Sequence, residues 1–198
     1  IGLMIFYFIQ YGMEGIRVDT KSKIKDRIIG SGMSNFKYYL ANFIGVNIYS
    51  FGSILISYSI CKVFLNINYG DIYLLPLAAL PYLIIVNGIG IILGITAIKL
   101  ESLSALIQSI FIPGLTMLGG GYFALTYEET GSLFNDIRNI SPLTWFNKSI
   151  FNVVYSEDFS RLKLWLLIGL IALAIVIVAL YYLGRRSDKN YEKYSSIS

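Results

Sequence analysis

The sequence predicts an all-α polytopic integral membrane protein. About five transmembrane helices are visible, the first truncated, with a charged segment on one side and short interfacial or re-entrant helices on the other. Three observations predict this. Tyr38–Cys61, Ile72–Ile98, Ser102–Tyr127 and Leu164–Leu183 each run 20 residues or more without Asp, Glu, Lys or Arg, and about 20 apolar residues of helix cross a bilayer's hydrocarbon core. Only 14% of the 198 residues are charged and 56% are hydrophobic, against about 25% charged in a soluble domain. The charges that exist are gathered into islands, most densely in Glu14–Lys37.

The first segment, Ile1–Met13, is uncharged but too short to span. It lacks a basic leader before it and a small-residue cleavage site after it, so it is expected to be the remainder of a transmembrane helix whose upstream part lies outside this sequence. In the island that follows, Asp19–Ile29 is expected to form a short helix, capped by Asp19 or Thr20 and ended by Gly30 and Gly32. Ile24 and Ile28 share one face at i,i+4, with Lys21 a turn before Ile24. Lys23, Asp26 and Arg27 take the opposite surface. Such a segment is either a basic linker resting on anionic headgroups or a docking helix with its isoleucines in a partner's groove.

The second span is expected at Tyr38–Phe64 and the third at Ile72–Ile98. In the third, Gly90 and Gly94 form a GxxxG pair that lets helix backbones approach closely, and Asn87 is a mid-span polar group that faces protein or a polar path. The fourth, Leu103–Leu125, contains Pro113-Gly114 and then Gly119, Gly120 and Gly121. Proline removes a backbone donor and kinks a helix, so this span is expected to bend near its middle and unravel toward one face. Irregular backbone at that depth is tolerated where it is packed in protein or lines a cavity. Between it and the fifth span, Leu162–Leu183, lies Thr126–Arg161. There Leu133, Ile137 and Ile140 fall at helical spacing, and Ser141-Pro142 starts a second helix with Trp145 at headgroup depth.

Linkers alternate sides. Of the 16 Lys and Arg, 11 fall on the side holding Glu14–Lys37, Lys99–Ser102 and the tail from Gly184, and 5 on the other; acidic residues divide evenly. The basic excess marks the cytoplasmic side, which accounts for the net charge of +4 without a nucleic acid. Residues 1–198 thus read as a single transmembrane domain in the plasma membrane, with segment 14–37 and tail 184–198 cytoplasmic and 126–161 extracytoplasmic. The chain has no histidine, which excludes Ser-His triads and HExxH zinc proteases. Glu128-Glu129 lacks the partners of an intramembrane protease. The single cysteine, Cys61, cannot form an internal disulfide and reads as apolar filler. No ionisable residue lies in the middle of a span, unlike ion-coupled carriers.

This arrangement resembles the membrane subunit of type-2 ABC exporters, the ABC-2 permease family. Asp19-Thr20, Arg27-Ile28 and Ser31-Gly32-Met33-Ser34 are similar to the pieces of the family's charged segment, with Gly32 where proline is common. Tyr38-Tyr39-Leu40-Ala41-Asn42-Phe43 resembles its entry into the next span, and Ser141-Pro142-Leu143-Thr144-Trp145 its approach to the last. The resemblance implies a six-span fold of which this chain holds the second to sixth spans. It also implies a coupling helix at Asp19, Thr20, Lys21, Ile24, Arg27 and Ile28 that seats in a separate ATP-binding subunit. A second permease copy or homologous half would complete the unit, and Pro142 and Trp145 would belong to a re-entrant pair near the exit. Catalysis and ATP binding would reside in the partner, leaving this subunit without a cofactor or metal of its own, and the substrate path would run near Asn87 and the Pro113–Gly121 bend. A non-transporting scaffold or immunity-type protein, and a secondary carrier, are the competing readings.

Overall fold

The computed structural model describes residues 2–65, 73–96, 106–118 and 141–195. The described residues are helical, with no strand among them: α1 (Gly2–Lys21), α2 (Ile24–Gly30), α3 (Asn35–Phe64), α4 (Leu74–Thr96), a π-helical turn (Ile107–Phe111) running into α5 (Ile112–Leu118), α6 (Pro142–Ser156) and α7 (Ser160–Ser195). Helices α3 and α4, and Ser160–Asp188 within α7, are long and apolar enough to cross a membrane. These are three of the five expected spans. Helix α1 is 20 residues long, but its second half carries Glu14, Arg17, Asp19 and Lys21. The fourth span is described only over 106–118.

Helix α4 is the axis of the bundle. It packs against α1, α3, α6 and α7, and 61% of its most apolar stretch is buried, against 22% in α3 and α7. The glycine pair sits on its α1 face. A Cβ on Gly90 would run into the main chain of Ile9, and one on Gly94 would lie 2.9 Å from the Met13 carbonyl oxygen. The GxxxG pair therefore makes a close backbone contact, and its partner is α1. Between lipid-soluble helices, where tails are as apolar as leucine, such van der Waals contact is a main source of cohesion.

Two expectations change. The helix expected over Asp19–Ile29 is two helices. The first, α1, continues through the charged residues to Lys21 because they find partners along it: Arg17 pairs with Glu14 at 2.7 Å, and the Thr20 hydroxyl donates to the Ile16 carbonyl at 2.8 Å. Lys23 then adopts a left-handed conformation, φ 57°, and α2 starts after it with no side-chain cap. Asp19 and Thr20 thus close α1 rather than cap α2. Gly30 does end α2, and Gly32, at φ +99°, turns the chain away as expected.

The second change concerns the bend in the fourth span. Immediately before Pro113 the backbone widens into the π-helical turn. A proline ring crowds the carbonyl four residues back and supplies no amide, and a π turn accommodates both. Gly119, Gly120, Gly121 and the helix expected around Leu133–Ile140 lie outside the described residues. Helix α7 continues past Gly184 to Ser195. Helix α6 begins where expected, with Ser141 at its N-cap and Pro142 in its first turn.

Candidate functional site

The charged island gathers at one end of the bundle, where α1 ends, α3 begins, and α7 runs past. Helix α3 starts at Ser34, whose hydroxyl oxygen accepts from the Lys37 amide. In its first two turns stand Tyr38 and Tyr39, both buried. Adjacent helical residues point about 100° apart, so the two rings reach different neighbours. Tyr38 donates its hydroxyl to Asp19 Oδ2 of α1 at 2.6 Å. Tyr39 accepts from Lys25 Nζ of α2 at 2.8 Å, and that ammonium lies 5.1 Å from the centre of the Tyr39 ring.

On the α7 side, Asp188 Oδ1 accepts from both the Asn35 amide and Asn35 Nδ2, at 3.2 and 2.6 Å. This places a carboxylate at the N-terminus of α3, where unsatisfied amides and the helix dipole favour it. Phe36 meets Tyr181 edge to face, centroids 5.5 Å apart. Gly184 brings α7 against Phe36; a Cβ there would lie 2.7 Å from the Phe36 nitrogen.

The seven-residue α2 rides on this platform. Its inner side is Lys25, Ile28 and Ile29, the first buried and the others half-buried. Ile28 packs against the buried cluster that contains Ile16, Tyr38, Tyr39 and Phe43. Its outer side presents Ile24, 41% exposed, and exposed Lys23 and Arg27, with exposed Lys21 at the end of α1. Of the residues singled out in the sequence, Lys21, Ile24 and Arg27 are thus available to a partner. Ile28 anchors α2 to the bundle, and Asp19 and Thr20 belong to α1. The division of faces differs from the expected one because Lys25, not Ile24, takes the inward position beside Ile28 and Ile29. Sequence reasoning missed Lys25, Tyr39 and Asp188. The paired tyrosines at the head of α3 were the one available signal.

Asn87 lies in a second polar cluster, buried between α3 and α4. Its Nδ2 donates to Asn47 Oδ1 at 3.2 Å and to the Ser50 hydroxyl at 3.4 Å, while its Oδ1 has no partner among the described residues. Pro113 and Gly114 sit in α5, half-buried and exposed, and are not brought together with Asn87 by any described contact. At the far end of α7 from the island, Trp145 of α6 stacks on Trp165 of α7, centroids 6.4 Å apart. The Trp165 indole donates to the Ala78 carbonyl of α4 at 2.8 Å. Trp145 thereby joins α6 to the bundle core.

The island end offers no nucleophile beside a base, and among the described residues no group of carboxylates or cysteines is placed to hold a metal ion. Its chemistry is that of a contact surface: a short helix with one isoleucine and several cations outward, packed against α1 and α3. A family model described as ABC-2 family transporter protein matches residues 1–184. Searches of curated proteins and of solved structures returned no match. The match takes in α1 to α6 and most of α7, spanning both the island and the membrane helices, and the chain therefore belongs to the ABC-2 transporter family as a multi-pass membrane permease.

Proposed function

We propose that this chain is the membrane-spanning subunit of an ABC exporter, in which ATP hydrolysis by a separate ATP-binding subunit drives efflux of a substrate. The observation that supports this reading is the outer face of α2. Ile24 is exposed at the start of a helix whose inner face is fully committed to the bundle, and Lys21, Lys23 and Arg27 surround it. An apolar anchor rimmed by cations suits a groove with an acidic edge. Lys21, Ile24 and Arg27 make the contact, and Ile28, Asp19 and Thr20 hold α2 and the end of α1 in place. The ATPase binds the nucleotide, and this subunit supplies no catalytic group.

The basic excess on the island side supports a cytoplasmic position for α2, residues 99–102 and the end of α7, with 126–161 outside and the chain in the plasma membrane. A second copy or a homologous half completes the transport unit. The bent stretch at the π turn and Pro113 lies near the path, and α6, with Pro142 and Trp145, lies near the exit.

The test is co-purification from membranes of the full-length protein expressed with its ATP-binding subunit, wild type against Ile24→Asp. Ile24 is outward, so the change places a carboxylate in the contact and leaves the bundle packed. We expect ATPase activity to copurify with the wild type and to fall at least tenfold in the variant, while the amount of folded permease is unchanged. Copurification that survives Ile24→Asp would remove the outer face of α2 from the contact. The absence of any ATPase with the wild type would sink the exporter reading.

A further inference from the structure

We infer that Lys25 and Tyr39 are positioning residues through which α3 follows α2, so that a displacement of α2 by its partner reaches the membrane through this side-chain pair and not through the backbone. The inference rests on the reading of α2 as the contact with an ATP-binding subunit and assigns the step after contact.

Both backbone routes out of α2 pass a left-handed residue. Toward α1 the chain turns at Lys23, φ 57°, and toward α3 at Gly32, φ +99°. A change of backbone direction at each end leaves α2 as a short rod joined to its neighbours by bends, which transmit force poorly. The stiff connections are lateral. Lys25 is 7% exposed and its one hydrogen bond among the described residues goes to the Tyr39 hydroxyl. Ile28, one turn on, packs against the buried cluster to which Tyr38 and Tyr39 belong. Tyr38 in turn holds Asp19 at the end of α1. Two consecutive side chains of one helix thus clasp the two elements that precede it.

The chemistry of the pair argues for a role beyond packing. A buried ammonium is costly unless paired with an opposite charge, and among the described residues Lys25 has no carboxylate partner. One neutral hydroxyl and one ring face are a lean compensation. A methionine would fill the same space without that cost. A lysine kept here forms a directional link between α2 and α3 that an apolar contact does not provide.

The variants separate a link from a packing role. Lys25→Met alone leaves the buried Tyr39 hydroxyl unpaired, which destabilises. Lys25→Met with Tyr39→Phe removes both partners of the bond and restores a satisfied interior, so thermal stability returns to that of the wild type. Cys61, the sole cysteine, lies near the opposite end of α3 and is half-buried. An environment-sensitive fluorophore attached there before assembly with the ATP-binding subunit in lipid nanodiscs reports on α3.

In the wild-type complex we expect ATP with vanadate to change the emission relative to ADP. In the double variant we expect the ATPase to copurify and hydrolyse ATP at an unchanged rate, since Ile24 and Arg27 are intact, while the emission change falls at least fivefold. An emission change equal to the wild type's in the double variant overturns the inference, as does a wild-type complex that shows no change. Loss of the ATPase from the double variant would also overturn it, because the pair would then serve docking alone. No ATPase with the wild type sinks the functional reading instead, and the inference with it.

Discussion

The middle of α1 and its charged end are held to the bundle by opposite means. Toward its middle, Ile9 and Met13 lie directly on Gly90 and Gly94 of α4, main chain against main chain, with no side chain between them. At its charged end, Asp19 reaches α3 through a single hydrogen bond from Tyr38, and the next element, α2, through a single bond from Lys25 to Tyr39. The first contact depends on shape and tolerates no added atom. The second depends on a few directional bonds, with Ile28 packed beside them.

The largest effect comes from spoiling the shape. Gly90→Val places its side chain in the Ile9 main chain, and overpacking of this kind costs about 3 kcal/mol. We expect a clear drop in melting temperature in detergent and in the yield of folded protein. Gly45→Ala is the matching control in α3, where a Cβ meets nothing within 4 Å; it should be neutral or stabilise slightly, since alanine is favoured over glycine in a helix by about 1 kcal/mol. Equal losses in the two variants would mean that the α1–α4 contact is no tighter than the exposed face of α3.

A smaller effect is expected from the directional bonds. Asp188→Ala removes the acceptor for the Asn35 amide and side chain. Loss of such a helix-start interaction costs about 1 kcal/mol, and the exchange rate of the first amides of α3 should rise while those of α4 stay protected. If α4 loses protection to the same degree, the ends are not energetically separate. The smallest effect is a titration. Asp158, in the turn before α7, accepts from the Ser160 amide and hydroxyl, both at 2.8 Å. The amide bond first and the hydroxyl second hold its carboxyl below its ordinary value of 3.8. A carboxyl depressed in the folded state contributes its full share above the ordinary value and loses it as pH falls through the folded one. Wild type should therefore lose thermal stability relative to Asp158→Asn as pH falls below about 4, and a difference that stays constant through that fall would remove the cap from consideration.

The contrast also explains what could be read from the residues. The spans at α3, α4 and α7 announce themselves because lipid imposes long uncharged runs, and the GxxxG pair because only glycine permits such an approach. The break between α1 and α2 was hidden. Left-handed turns are usually marked by glycine or asparagine, and here the position is Lys23. The extent of α1 was hidden by the assumption that a helix stops where its charges begin, whereas Arg17 and Glu14 pair along it. The inward Lys25 was hidden because two isoleucines at i,i+4 claim the apolar face on composition. What decides the matter is a tyrosine 14 residues away, and no local pattern contains it.

The two tryptophans of this chain form one stack, nearly parallel at 13°. At the red edge of the near-ultraviolet band indole absorbs where the 16 tyrosines contribute weakly, and two indoles this close share their excitation. Fluorescence excited at that red edge therefore comes from one contact, between α6 and α7, and the molecule carries its own optical gauge of whether that joint is closed.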